Sequence, residues 1–188
     1  MKKEELKDFC KSIGIDCVGI AGVGPYYDLE KIIKQRLFNG YITGMEESII
    51  EKRVNPKETM ENVNSIIVCA FPYYIGNFNE SNLSKYCYGE DYHIVVKDML
   101  QQICNHLSDN IDNFDYKIFA DNGPLVDRYL AYLSGIGYFG INNNIITFLP
   151  EMLCRMLMYR VLITDIAAII IHSNNTNIKI PNSIRFSC

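Results

Sequence analysis

The stretch SIIVCAFPYY, residues 65–74, narrows the fold more than any other part of this chain. It is apolar almost throughout and reads as the clearest strand, ended at Pro72, which has no N–H to give to a ladder. Helices and strands alternate around it. Leu6, Phe9, Cys10 and Ile13 fall at i, i+3, i+4, i+7, an amphipathic helix stopped at Gly14. DCVGIAGV follows as a short strand. Leu29, Ile32, Ile33 and Leu37 mark a second helix ending near Gly40. Short helices follow, with Pro56 suited to a first helical position. Residues 75–84 are polar and loop-like. Val96, Met99, Leu100, Ile103 and Leu107 share one face of a long helix over EDYHIVVKDMLQQICNHL. FDYKIFA is a strand. DNGPLVDRYLAYLSG is a capped helix with Pro124 in its first turn, and NNIITFL is a further strand. The alternation, with no internal repeat, predicts an α/β (α+β) layered domain: a central mixed sheet flanked by helices.

Composition excludes several classes. The chain has 188 residues, 48% of them apolar, enough for one domain with a substantial core. Its net charge is −4, whereas a protein that grips a phosphate backbone by itself usually carries a basic surplus. The seven cysteines include no C-x-x-C pair, so no zinc knuckle or iron–sulfur ligand run is present, and they read as buried reduced thiols of a cytoplasmic protein. The N-terminus MKKEELKDFC lacks the apolar core of a signal peptide. The apolar stretch from Met152 to Ile171 holds Arg155, Arg160 and Asp165. A charge at mid-span costs about 2.5–3.5 kcal/mol on insertion scales, so no membrane helix is expected there.

Gly135, Gly137 and Gly140 in GIGYFGINNN form a formal G-x-G-x-x-G. A dinucleotide fingerprint needs a strand before it and a helix after it. Here a helix leads in and a β-branched segment follows, so the loop offers a phosphate the wrong end of a helix. The plainer reading is a helix C-cap glycine and a tight turn. Glycines at this density also let a backbone approach a large ligand closely.

Five separated stretches carry a resemblance: YITGM at 41–45, KRVNP at 52–56 before SIIVCAFPY, YCYGEDYH at 86–93, FADNGPLVDR at 119–128 and GIGYFGINNN at 135–144. In order and spacing they resemble the N-terminal, corrinoid-binding domain of the epoxyqueuosine reductases, which complete queuosine in the anticodon loop of certain transfer RNAs. The resemblance covers about residues 1–150. It implies a cobalamin cofactor, a transfer RNA partner bound weakly by this chain alone, and an external electron donor. It also implies a ferredoxin-like domain with two cysteine runs for iron–sulfur clusters, for which this chain has no ligands. Residues 151–188 read as an atypical tail, from a shifted frame or truncation near 150 or from a natural short variant. A corrinoid-binding module without turnover, or an inactive fragment, is the rival reading.

The implied reaction removes an epoxide oxygen with two electrons and two protons, and water leaves. The oxygen leaves poorly unless protonated, so an acid is needed. By resemblance Asp121 is that acid; from the residues alone, a cap for the helix after Asn122-Gly123-Pro124 is the favoured reading. The resemblance also places Tyr92 and His93 in the pocket, although a histidine at a helix start is ordinarily solvated or locally hydrogen-bonded. Gly135, Gly137 and Gly140 would lie against the corrinoid with Asn142; the family's usual lysine between Gly140 and Asn142 is Ile141 here. Arg53 would bind a phosphate or a propionamide, or form a surface salt bridge. Asp127 and Arg128 read as solvated. No metal ligand is proposed.

Overall fold

The computed structural model describes residues 3–72, 90–121, 123–141, 143–147 and 164–172. Five α-helices and six strands alternate along these residues: α1 Lys3–Ser12, β1 Cys17–Ala21, α2 Tyr27–Phe38, α3 Ile50–Val54, β2 Ser65–Pro72, α4 Tyr92–Asn110, β3 Asp115–Ala120, α5 Asp127–Leu133, β4 Gly137–Phe139, β5 Ile145–Thr147 and β6 Thr164–His172. A single 3₁₀ turn, Pro56–Glu58, has proline at its start as expected. The predicted loop over residues 75–84 lies outside the described residues.

Four strands form the main sheet in the order β1-β2-β6-β3, and β4 and β5 form a separate hairpin. The α/β layering is as expected, but the mixed sheet is not: every pairing in the main sheet is antiparallel. The cause is the place of β6. β2 and β3 run in the same direction, linked through α4, but they do not touch. β6 fills the slot between them and runs against both, with Ile67 and Ile118 each facing Ile169. This is a split β-α-β arrangement.

The same strand bears on the expected division at residue 150. Residues 164–172, read as part of a separate tail, occupy an interior position of the sheet. Ala168, Ile169, Ile170 and Ile171 are all buried.

The apolar run of β2 now has its reason. Side chains alternate across a sheet, and both faces are covered. Ile66, Val68, Ala70, Ala168 and Ile170 pack with Leu29, Ile33, Val54, Leu130 and Ala131 of α2, α3 and α5. Ile67, Cys69, Ile169 and Ile171 pack with Leu6 and Cys10 of α1 and Val96, Leu100, Ile103 and Leu107 of α4. Cys10, Cys69 and Cys104 are buried free thiols, Cys17 is half-buried, and burial pushes all four thiols up, Cys10 and Cys17 to about 11.

Helix α5 starts later than expected. Val126 is its N-cap and supplies no side-chain cap, so Pro124 lies before the helix and Asp121 does not cap it. Gly135 ends it in the left-handed region at φ 75°, its N–H on the Tyr132 carbonyl, as a C-cap glycine should. Among the described residues no helix is long and apolar enough to cross a membrane.

Candidate active site

Strand β3 is an edge strand, and Asp121 follows its last residue. The backbone there turns into the left-handed region, φ 67°, which aspartate and asparagine tolerate better than most side chains. The turn sends the carboxyl towards the N-terminus of α4. Tyr92, the first residue of that helix, donates its hydroxyl to Asp121 Oδ2 at 2.7 Å. Two residues singled out from separate stretches are therefore in direct contact.

The start of α4 is held locally. Asp91 is the N-cap and accepts the His93 N–H at 2.9 Å, while His93 Nδ1 lies 2.8 Å from Asp91 Oδ1. These contacts, the backbone N–H first, hold the Asp91 carboxyl below the ordinary carboxylate range. The rings of Tyr92 and His93 sit 3.9 Å apart. His93 thus stands beside the site but turns its ring nitrogen to Asp91, the local bonding expected of a histidine at a helix start.

Two cavities adjoin Asp121. One, about 740 Å³, includes Lys52, Thr59, Lys117 and Phe119 in its lining. The other, about 460 Å³, includes Arg53, Asp127 and Arg128. Met45, Glu46, Glu47, Asp121, Gly123 and Pro124 line both, so the two are contiguous. The rim at residues 43–47 is self-organised: the N–H groups of Thr43 and Gly44 donate to Glu46 Oε2, each at 3.1 Å. Hydrogen bonds, that of the Thr43 side chain first, hold Glu46 below its ordinary range.

Asp127 departs most from the expectation of solvation. It is half-buried, and burial pushes its carboxyl up to about 7, with Asp121 adding to the rise and Arg128 opposing it. A signal for this lay in the helix period. Asp127 sits at i−3 and i−4 from Leu130 and Ala131, both buried, so it shares their face. Arg128 turns away and donates to the Asn143 carbonyl at 3.0 Å, tying α5 to the β4–β5 hairpin.

The glycines are placed elsewhere. Gly135, Gly137 and Gly140 line neither cavity. Gly135 ends α5, one residue past its C-cap Ser134. A Cβ on Gly137 would strike the Ile145 side chain, so the pairing of β4 with β5 accounts for that glycine. Gly140 opens the hairpin turn, its N–H on Asn144 O at 2.8 Å. Asn142 lies outside the described residues.

The lining suits a broad ligand fringed with amides. Lys52, Arg53 and Lys117 offer donors, and Glu46 and Glu47 offer acceptors. No group of three or more His, Cys, Asp or Glu side chains placed to hold a metal ion occurs among the described residues.

Comparison with known proteins agrees with this geometry. The family described as "Epoxyqueuosine reductase QueG, DUF1730" matches residues 53–122, the segment from Arg53 to just past Asp121. An epoxyqueuosine reductase of Bacillus anthracis is 36% identical over 160 residues, which cover 79% of this chain and 41% of that relative. A crystal structure of an epoxyqueuosine reductase with a tRNA-Tyr epoxyqueuosine-modified stem loop superposes with a TM-score of 0.76 at 29% identity, over 91% of this chain and 45% of that one. The Bacillus subtilis enzyme, solved with its catalytic aspartate loop swung out of the active site, gives a TM-score of 0.75 at 27% identity, with the same coverage of both chains. The chain spans about two-fifths of the length of the curated relatives it matches. By sequence across the site-bearing segment and by fold, this chain is epoxyqueuosine reductase-like.

Proposed function

We propose that this chain is the catalytic and corrinoid-binding part of an epoxyqueuosine reductase, working in the cytoplasm on the anticodon stem loop of transfer RNA. The observation that carries the reading is the 2.7 Å contact from Tyr92 Oη to Asp121 Oδ2, Asp121 being a residue that lines both cavities. Asp121 is the general acid. An epoxide oxygen is a poor leaving group until it is protonated, and a carboxyl fixed at the cavity wall delivers that proton. Tyr92 fixes it, since its hydroxyl restricts the carboxyl to one orientation and limits what positioning must otherwise supply. Lys52, Arg53 and Lys117 meet the amide fringe of the cofactor or a phosphate of the substrate. Bound cobalamin supplies low-potential electrons. They reach it from an external donor, because the seven cysteines of this chain form no cluster-binding run.

The same cysteine spacing favours a second reading, a module that binds corrinoid without turnover. A visible-spectrum titration with hydroxocobalamin, followed by gel filtration, tests what the two readings share. A spectral change and retained cofactor are expected, and their absence overturns both. Supplying an artificial low-potential reductant and epoxyqueuosine-containing RNA then separates them. Turnover that falls roughly 10²–10⁴-fold in Asp121→Asn supports the reductase. No turnover with bound cobalamin leaves the module. With a net charge of −4, binding of transfer RNA by this chain alone at near-physiological salt is expected on the order of 10⁻⁴–10⁻⁶ M.

A further inference from the structure

Removing an epoxide oxygen as water takes two protons, and Asp121 carries one. The cavity holds another carboxyl. Asp127 lines the same space of about 460 Å³ as Asp121, half-buried at the first turn of α5. Among the described residues no donor reaches its carboxyl and no lysine or arginine forms an ion pair with it; Arg128 spends its guanidinium on Asn143 O. The other charged groups of this cavity are Arg53 on α3, Arg128 on α5, and Glu46 and Glu47 on the rim. Two acids and one base therefore surround the pair besides Arg128, and none neutralises Asp127 directly.

We propose that Asp127 is a positioning and relay residue for Asp121, keeping a proton in the cavity and passing it to Asp121 once Asp121 has protonated the epoxide oxygen. The inference rests on the reductase reading above. The balance is as follows. Asp121 gives its proton to the oxygen as the first C–O bond breaks. Asp127 gives its proton to Asp121, which delivers it as the second C–O bond breaks and water leaves. Two electrons from the external low-potential donor form the carbon–carbon double bond, and solvent restores both protons. A carboxyl held at about 7 retains a proton under working conditions and still gives it up, which suits this role.

The first test needs neither cofactor nor substrate. Side-chain ¹³C resonances of aspartate-labelled protein are followed from pH 4 to 9. One carboxyl should titrate near neutrality, vanish in Asp127→Asn, and titrate lower in Asp121→Asn. Titration of every aspartate in the ordinary range overturns the proposal, as does a neutral titration unmoved by Asp121→Asn. The second test is the pH profile of turnover with added cobalamin and an artificial reductant. Asp127→Asn should lower the rate about tenfold or more and shift the alkaline limb, and Asp127→Glu should restore both. If Asp121→Asn abolishes turnover while Asp127→Asn leaves rate and profile unchanged, the relay is wrong and the reductase reading stands. If Asp121→Asn changes nothing, both fall.

Discussion

Gly19 of β1 faces Ile136, and a single methyl added at Gly19 would lie 2.5 Å from Ile136 Cγ2 and 2.7 Å from the Ser134 carbonyl oxygen. That contact seats the end of α5 against the sheet, two turns of chain from Asp127. The obstructing atoms include backbone, which yields little. Gly19→Ala is therefore expected to cost about 1–3 kcal/mol, read as a lower urea midpoint at unchanged slope. An unchanged midpoint would mean that α5 is not seated as described.

Asp121 sits at φ 67°, where asparagine is as comfortable as aspartate. Asp121→Asn should leave stability within about 1 kcal/mol of the parent by thermal unfolding, because no helix loses a cap. Tyr92→Phe removes one partly exposed hydrogen bond and should also cost no more than about 1 kcal/mol. Both variants should bind cobalamin, and both should lose turnover. A large loss of stability in either would assign the pair to the fold and not to chemistry.

Strand β6 tests the domain boundary. Ile169 is fully buried between the partners Ile67 and Ile118. Ile169→Ala should destabilise by about 2–5 kcal/mol, the range for deleting a buried aliphatic side chain. Ile141→Ser, at a fully exposed position of the hairpin, should change stability by less than about 0.5 kcal/mol. Equal and small effects at both positions would return residues 164–172 to the status of an appendage.

The Asp127 carboxyl sets a pH dependence of stability. Its folded value, about 7, lies above that of the unfolded chain. The folded state thus holds a proton that the unfolded state has released. The stabilisation is full below about pH 4 and is lost as pH rises through about 7. Asp127→Asn removes the dependence. At pH 8 it should be more stable than the parent by about 1–3 kcal/mol, and near pH 4 the two should agree. Chemical denaturation at the two pH values measures this; a gap that widens towards acid contradicts it.

Local periodicity carried most of the helices and the covered sheet. Leu6, Phe9 and Cys10 of the stripe lie on α1, Ile13 follows its last residue, and Gly14 turns the chain at φ 88°. Periodicity was less informative where one face is only partly covered: Leu29 and Ile33 of α2 are buried, but Ile32 and Leu37 are exposed. NNIITFL contains β5, as expected, but its partner β4 escaped notice because a three-residue strand has too little alternation to register, and Gly137 reads as a turn until Ile145 is seen against it. TDIAAIIIH has the same apolar character as β2, yet its sheet position is fixed by pairing with two distant strands, which no local window contains. The site was legible as a set of residues and not as a contact. Tyr92 and Asp121 meet because α4 and β3 run back beside each other. Asp127 was misread because charge was weighed without its helical phase.

The strand order also fixes a timetable. During synthesis the two halves of the main sheet, β1–β2 and β3, emerge long before residues 164–172 that join them. Until then β2 and β3 each present an apolar strand with an unpaired edge, the kind of surface that recruits neighbouring chains. The acid-bearing end of β3 cannot be fixed in place by the sheet until β6 arrives, so maturation of the site waits on a segment made after every other strand of that sheet. A chain built this way depends on slow, long-range closure and on whatever shields those edges in the interval.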